Sequence, residues 1–230
     1  MKRAKINFID VGCADVLIKP WRGKHYKDIN FLLGFDISGL KEYSRKLSSK
    51  YISHKICKKL VSDKIYNKMF IYNKRQVSSL FEVDQRVMKE YIAAFSKDKK
   101  KTKERERKFK LIQIKDVKCV RIDDEIDKIG LNFDFIKIDT QGSEFQVIKS
   151  LGKYLDIQII GIHVELLLKP IYKNAVLYDG VNKYLMDHGF YQAKKIGKSE
   201  WDCDFLYLRN CSMRKKKEKE KFIKKIYKIE

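Results

Sequence analysis

The sequence lacks the marks of a secreted, zinc-binding or membrane-spanning protein. Its five cysteines include no closely spaced pair suited to zinc, and their odd number favours the reduced thiols of a cytoplasmic protein. The first apolar stretch meets Asp10 too early for a signal peptide, and the longest, residues 157–168, is interrupted by His163 and Glu165. We therefore expect a soluble, cytoplasmic protein, with contact at the inner face of the membrane as an alternative.

Acidic residues are scarce beside basic ones. The chain has 30 Asp and Glu against 52 Lys and Arg, a formal net charge of +22, and a cationic surface attracts polyanions such as nucleic acid or anionic lipid. Only 10 of the basic residues are arginine, however, and a compositional bias toward lysine produces such a charge without any dedicated partner. We treat most of it as ordinary solvated surface.

A length of 230 residues and a hydrophobic content of 44% predict one folded α/β domain. Apolar patterns predict strands at residues 6–11, 31–37, 54–61, 69–72, 111–122, 133–139 and 157–165, helices at 40–50, 83–95, 123–129, 143–151 and 176–187, and a terminal antiparallel pair at 191–196 and 205–209. This alternation predicts a mostly parallel, doubly wound sheet with a hairpin at its edge. Residues 96–110 are so charged that we expect them to be solvated.

The last residues form a separate feature, and we divide the chain into a domain of residues 1–211 and a basic tail of residues 212–230. In the tail a Lys and Glu block is followed by apolar residues on one side of a predicted helix, namely Phe222, Ile223, Ile226, Tyr227 and Ile229. One interpretation packs this apolar stripe back onto the domain. The other makes the tail a basic amphipathic helix that binds an anionic membrane or a protein partner.

The most informative segment runs from Asp134 to Glu144, where an apolar strand leads directly into acidic and amide side chains. Gly142 supplies a tight turn, and a helix follows near residue 143. Ligands of open α/β sheets bind outside the carboxyl ends of the strands, so Asp139, Gln141 and Glu144 stand where a site is expected. Glu165 ends a neighbouring apolar strand and points to the same edge of the sheet.

The order of several short motifs resembles that of FkbM-type methyltransferases over about residues 6–210. The motifs are Phe8-Ile9-Asp10-Val11-Gly12, Gly34-Phe35-Asp36, Ser62-Asp63, Ser78-Ser79-Leu80, Lys137-Ile138-Asp139-Thr140-Gln141-Gly142-Ser143-Glu144 and Val164-Glu165. The resemblance implies a Rossmann-like class I methyltransferase fold. It also implies S-adenosylmethionine as cofactor, and O-methylation of a hydroxyl on a sugar, a glycan or another small acceptor.

The residue-by-residue match implies six cofactor-binding residues, which are Asp10, Gly12 and Cys13 in the first turn, Asp36 at the ribose hydroxyls, and Ser62 and Asp63 near the adenine. An acidic residue at the end of the second strand suits a neutral diol. The first turn departs from the pattern because it offers one glycine, and Asp15 is expected to compensate by facing the sulfonium or the amino group. A non-catalytic adaptor with a degenerate cofactor site is therefore an alternative.

Methyl transfer to oxygen is an in-line displacement assisted by a base, and Asp139 and Glu165 are the candidate catalytic residues. Gln141, Glu144 and His163 are the candidate substrate-binding residues. Helix capping by Asp139, loop stabilisation by Gln141 and Glu144, and a satisfied interior position for His163 are the structural alternatives. We predict no metal site, although Mg²⁺ held by Asp139 and Glu165 is an alternative.

A second enzymatic alternative is RNA methylation, because residues 97–110 form a basic run with Phe109 nearby. Proteins that bind single-stranded RNA interleave aromatic side chains through such a run as stacking platforms, and this run does not. Nucleic acid is therefore a less favoured partner than a small-molecule or glycan acceptor.

Overall fold

The structure is a computed structural model that describes residues 5–13, 17–37, 40–96 and 98–229. The strands of these residues are β1 Ile6–Val11, β2 Ile29–Asp36, β3 Ser53–Lys58, β4 Leu60–Val61, β5 Tyr66–Tyr72, β6 Leu111–Val120, β7 Phe135–Ile138, β8 Gly161–Leu167, β9 Phe190–Ile196 and β10 Asp202–Arg209. The helices are α1 Leu40–Ser48, α2 Gln85–Phe95, α3 Lys99–Lys108, α4 Ile122–Ile129, α5 Glu144–Lys149, α6 Tyr154–Ile157, α7 Tyr178–Asp187 and α8 Arg214–Tyr227.

Seven of these strands form the central sheet, in the order β3-β2-β1-β7-β8-β10-β9. The pairs from β3 to β8 are parallel, whereas β10 runs antiparallel to both β8 and β9. All four residues of β7 are buried, as expected for a short apolar strand covered on both faces. The predicted Rossmann-like sheet with a terminal hairpin is therefore confirmed.

Two apolar cores cover the two faces of the sheet. On one face, α4, α5 and α7 pack through residues such as Ile126, Ile148 and Leu185. On the other face, α1 and α8 pack with Trp21 against β1 and β7. Successive side chains along a strand point to opposite faces of the sheet. Ile136 and Ile138 face the core of α4, α5 and α7, so Lys137, which lies between them in sequence, is on the α8 face.

A second, smaller sheet departs from the prediction. Residues 54–61 do not form one strand but divide into β3 and β4, and β4 leaves the central sheet to join the order β4-β6-β5. The segment predicted as a strand at 111–122 therefore pairs with β5 rather than with the central sheet. Hydrophobic periodicity identifies a strand but carries no information about its partner, which explains the difference.

One smaller prediction changes and another is confirmed. The strand predicted at 157–165 begins only at Gly161, because residues 154–157 form the short helix α6 and leave Ile157 exposed. The charged run at 96–110 contains the helix α3, which buries none of its residues and is solvated as predicted.

The helix of the basic tail packs onto the domain. Ile223, Ile226 and Tyr227 of α8 are buried in the core that also contains Trp21. The Tyr227 hydroxyl accepts a hydrogen bond from Trp21 Nε1 at 3.1 Å and lies 2.8 Å from His163 Nδ1. The apolar stripe of α8 is thus covered by the protein itself. No helix of the described ranges is long and apolar enough to span a membrane.

Candidate active site

A cavity of about 570 Å³ opens at the carboxyl edge of the central sheet. Its inner side is lined by the ends of β1, β2 and β7 and by the loop after β7, through Val11, Gly12, Phe35, Asp36 and residues 139–141. Its opposite side, which we call the outer wall, comes from the small sheet and the segment after it: Met69, Ile71, Arg75, Gln76, Ser78, Ser79 and Leu80. The cavity therefore lies where the sequence predicted a ligand site.

Gly12 and Cys13 after β1, which we call the donor loop after their predicted role, pack directly on the end of β7. Gly12 has φ +78, and a Cβ atom built on it would lie 1.9 Å from the Asp139 carbonyl oxygen. Its amide donates to the Phe35 carbonyl at 2.9 Å. Cys13 is buried behind the cavity, and burial raises the pKa of its thiol above the usual value. Only glycine therefore fits at position 12. Asp15, which was expected to face the sulfonium or the amino group, lies outside the described residues.

Asp10 is buried beneath the donor loop rather than in the cavity lining. Its Oδ2 accepts a hydrogen bond from the Tyr43 hydroxyl at 2.5 Å, and its Oδ1 makes no hydrogen bond but lies 3.6 Å from Lys137 Nζ. Burial raises the pKa of Asp10, while the Lys137 cation and the Tyr43 hydroxyl act in the opposite direction. The aspartate therefore supports the donor loop from below.

Asp36 ends β2 and lines the cavity, and its Oδ1 accepts a hydrogen bond from the Ile37 amide at 2.6 Å. Ser62 and Asp63 do not line the cavity. Ser62 is buried and accepts a hydrogen bond from the Lys64 amide, whereas Asp63 forms an ion pair of 2.8 Å with Lys149. Their contact with the adenine stays a prediction.

Gln141 joins the two candidate catalytic carboxylates. Its Nε2 donates to Asp139 Oδ1 at 3.0 Å and to Glu165 Oε2 at 2.9 Å. Its Oε1 accepts a hydrogen bond of 3.3 Å from Tyr172, whose hydroxyl also lies 2.9 Å from the Val77 carbonyl. Gln141 has φ +58, a left-handed backbone conformation that is unfavourable for any residue other than glycine. Such a conformation persists only where the surrounding structure enforces it.

Glu165 has an unusual electrostatic environment. Burial, followed by the nearby carboxylates Asp139, Glu144, Asp202 and Asp204, raises the pKa of Glu165 to about 9. The side chain therefore holds its proton at neutral pH. Perturbed carboxyl groups of this kind cluster at functional sites. Glu165 does not itself line the cavity but contacts Gln141, which does.

Glu144 and His163 have structural partners. Glu144 is buried and accepts hydrogen bonds from the Thr140 and Gly142 amides at 2.8 and 2.9 Å, which stabilises the loop after β7. His163 is buried on the α8 face, where its Nε2 lies 3.1 Å from Asp204 Oδ1. Neither side chain lines the cavity, and their substrate-binding roles stay predictions beside the structural alternatives.

Lys137 belongs to this site, although it is not among the candidate site residues named from the sequence. Its alternation with Ile136 and Ile138 allows either a side chain with a buried stem and a solvated head or a salt bridge to an adjacent acid, and the structure shows the salt bridge. In the structure the whole side chain is buried, and its ammonium group lies between the donor loop and two aspartates. A lone lysine inside an otherwise apolar strand was the signal that pointed to it.

The residues present fit S-adenosylmethionine. The cavity combines an acidic side chain at the end of β2, suited to a ribose diol, with apolar surface from Ile37, Val61 and Leu80 that suits an adenine ring. The backbone of the donor loop reaches the cavity because position 12 has no side chain. Among residues 5–13, 17–37, 40–96 and 98–229, no group of three or more His, Cys, Asp or Glu side chains is placed to hold a metal ion.

Comparison with known proteins gives one family match. A search of the solved structures finds a magnesium protoporphyrin IX methyltransferase from Synechocystis PCC 6803 with bound SAM, at 10% identity and a TM-score of 0.45, covering 91% of this chain and 72% of that one. A search of curated protein sequences finds no significant match. The model of the methyltransferase FkbM domain matches residues 37–191, about two thirds of the chain. The chain therefore belongs to the FkbM family of S-adenosylmethionine-dependent methyltransferases.

Proposed function

We propose that the enzyme methylates a hydroxyl group of a sugar, a glycan or another small acceptor. The observation that carries this proposal is that Asp139 and Gln141 line the cavity and that Gln141 joins Asp139 to Glu165 behind them. Carboxylate and amide groups are the partners that sugar hydroxyls hydrogen-bond, and one of them must also accept the proton that the hydroxyl loses.

The donor half of the site consists of the donor loop, Asp10 and Asp36. S-adenosylmethionine, when bound, supplies an electrophilic methyl group on its sulfonium. Asp36 accepts hydrogen bonds from the ribose hydroxyls, and Gly12 lets the backbone approach the ligand. Asp10 and Cys13 hold the loop in place, while Ser62 and Asp63 support the adenine end.

In the acceptor half, Asp139 is the better supported base at neutral pH. Glu165 holds its proton there, so it donates a hydrogen bond to the acceptor and takes up the role of base only as the pH approaches 9. Gln141 fixes the separation of the two carboxyl groups. Glu144 and His163 act on the acceptor indirectly, through the loop after β7 and through β8. Alignment of the two reactants contributes several kcal/mol, on the order of 7–11 in well-oriented systems.

The direct test is a labelled-methyl assay of the purified enzyme against separate pools of glycans, lipids and nucleic acids. We expect incorporation into the glycan or small-molecule pool, loss of donor binding in Asp36→Ala, and slower transfer in Glu165→Gln. Asp187→Asn is the matched control, because Asp187 is an exposed carboxylate on α7 that pairs with Lys183 away from the cavity. Absence of incorporation into glycans and small molecules contradicts the proposal.

RNA is the alternative acceptor, and the same assay tests it. Within this basic run the structure has the helix α3, Lys99–Lys108, and the ring of Phe109 that follows it lies 6.1 Å from the ring of Tyr91 rather than free for stacking on a base. Methyl incorporation into RNA, together with binding that weakens steeply as salt rises, favours this alternative.

The tail is the proposed partner surface. In our division of the chain, residues 212–230 are a distinct basic segment. The apolar stripe of α8 is covered by the domain, so the surface that α8 presents to an outside partner is charged. Lys217, Lys221 and Lys225 are exposed on one line along the helix. We expect them to hold this cytoplasmic enzyme at the anionic inner face of the membrane, at about 1 kcal/mol for each lysine near the surface. Cosedimentation with phosphatidylserine vesicles, lost in the triple Lys→Gln variant, tests this.

A further inference from the structure

Lys137 is a buried cation with three oxygen partners. Its Nζ donates to the Gly12 carbonyl at 2.8 Å and lies 3.6 Å from Asp10 Oδ1 and 3.7 Å from Asp139 Oδ2. The ammonium thus makes one hydrogen bond, to the Gly12 carbonyl, and two ion pairs, to Asp10 and Asp139. Of the three oxygens, one belongs to the donor loop, one to the aspartate beneath it, and one to the candidate base.

The ammonium stays charged in this environment. Burial acts to lower the pKa of Lys137, but the carboxylates of Asp10 and Asp139 outweigh burial and raise that pKa above its usual value. A buried charge is costly unless it is paired and hydrogen-bonded, and here one cation faces two anions. The arrangement is electrostatically satisfied only while all three groups are present.

The partners of Asp139 divide between two sides. Its Oδ1 accepts the hydrogen bond from Gln141, and its Oδ2 faces Lys137, so the carboxylate is oriented at both oxygens. Its main chain is also fixed, because its amide donates to the Val11 carbonyl at 3.1 Å and its own carbonyl lies against Gly12. Two contacts therefore join the donor loop to the end of β7: the Lys137 ammonium, and the packing of Gly12 against the Asp139 carbonyl.

We propose that Lys137 is a positioning residue that holds the donor loop and the Asp139 carboxylate in one rigid unit. Methyl transfer requires donor and acceptor to be aligned, and a displacement of about 1 Å costs on the order of 10²-fold in rate. A single ammonium that contacts both halves sets their separation without touching either reactant. The inference rests on the proposed role of Asp139 and goes beyond it by assigning the group that aligns it with the donor.

The competing explanation is that Lys137 only neutralises buried Asp10. The charge-balanced variant Asp10→Asn/Lys137→Met separates the two, because it removes the buried cation together with its closest buried anion. Asp10→Asn alone is the matched control for the loss of that carboxylate. If Lys137 only neutralises Asp10, the double variant regains the stability that Asp10→Asn loses by leaving a buried cation, and it binds S-adenosylhomocysteine at least as tightly as Asp10→Asn. Positioning predicts that it is folded but impaired.

The readouts are S-adenosylhomocysteine affinity by isothermal titration and amide resonances by NMR. We expect the double variant to bind at least tenfold more weakly than Asp10→Asn. We also expect its Cys13 backbone and Gln141 side-chain amide resonances to shift, since these report the Gly12 carbonyl and Asp139. Affinity within twofold of Asp10→Asn, with unshifted resonances, overturns the proposal.

Lys137→Arg keeps the cation and serves as the second variant if the double variant does not fold. A planar guanidinium does not reproduce the three-point contact of an ammonium, so positioning predicts at least tenfold weaker S-adenosylhomocysteine binding. Binding equal to that of the wild type overturns the proposal. S-adenosylhomocysteine binds without an acceptor, so the result can be interpreted even if the proposed acceptor class is wrong. Failure of the wild type to bind it counts against the proposed function instead.

Discussion

Replacement of Gly12 by alanine tests whether the donor loop depends on contact with β7. The new Cβ would lie 1.9 Å from the Asp139 carbonyl oxygen, so that oxygen or the loop must move by about 1.5 Å to reach the 3.4 Å of an ordinary contact. A forced backbone shift of this kind costs about 1–3 kcal/mol. The left-handed conformation at φ +78 adds about 1–2 kcal/mol for any residue with a side chain.

Gly23→Ala is the matched control. Gly23 has φ +84 and no atom within 4 Å of an added Cβ, so this variant has the same backbone cost without the collision. Urea unfolding should give a larger loss of stability in Gly12→Ala, and isothermal titration should give at least tenfold weaker S-adenosylhomocysteine binding in that variant alone. Equal loss of stability in the two variants, with wild-type affinity in Gly12→Ala, would refute the reasoning.

Three further predictions concern Glu165 and α8. The unfolded Glu165 carboxyl ionises near pH 4.3 and the folded one near 9. The free energy of unfolding should therefore fall as pH rises between these values, by at most about 1.4 kcal/mol per pH unit. Urea titrations should show a flatter slope for Glu165→Gln and an unchanged slope for Asp187→Asn. Ile223→Ala should cost about 2–5 kcal/mol of stability because the side chain is fully buried. Lys221→Ala, on the exposed face of α8, should change stability by no more than about 0.5 kcal/mol. Equal losses in the two variants would contradict the packing of α8. Tyr227→Phe should cost about 1–3 kcal/mol by leaving Trp21 Nε1 without its acceptor, and an unchanged melting curve would argue against that hydrogen bond.

The central sheet was predictable because its strands carry local signals. An apolar run that ends in acidic or glycine residues marks the carboxyl end of a buried parallel strand, and this placed Gly12, Asp36 and Asp139 at one edge before any geometry was known. The structure confirms that these three residues line a common cavity. Short motifs at strand ends therefore predicted the inner half of the candidate site.

The outer half was not predictable in the same way. Whether β6 joins the central sheet or pairs with β5 depends on contacts between segments far apart in sequence, and both arrangements satisfy the same apolar pattern. The hydrogen bonds of Gln141 likewise depend on how β7 and β8 align, with Ile138 opposite Val164. A lone lysine in an apolar strand marks Lys137 as unusual, but its complete burial depends on the packing of the donor loop over it.

The outer wall has a consequence for how such an enzyme can change. The proposed ribose contact Asp36 and the Gly12 turn lie at strand ends of the central sheet, whereas residues 69–79 reach the cavity from a separate three-stranded unit inserted between β3 and α4. Substitutions at Met69, Ile71 or Arg75 should change the shape and charge of the cavity opposite those strand ends without altering Gly12 or Asp36. Under the proposed function, acceptor preference can therefore diversify on this wall while the methyl-transfer chemistry stays the same.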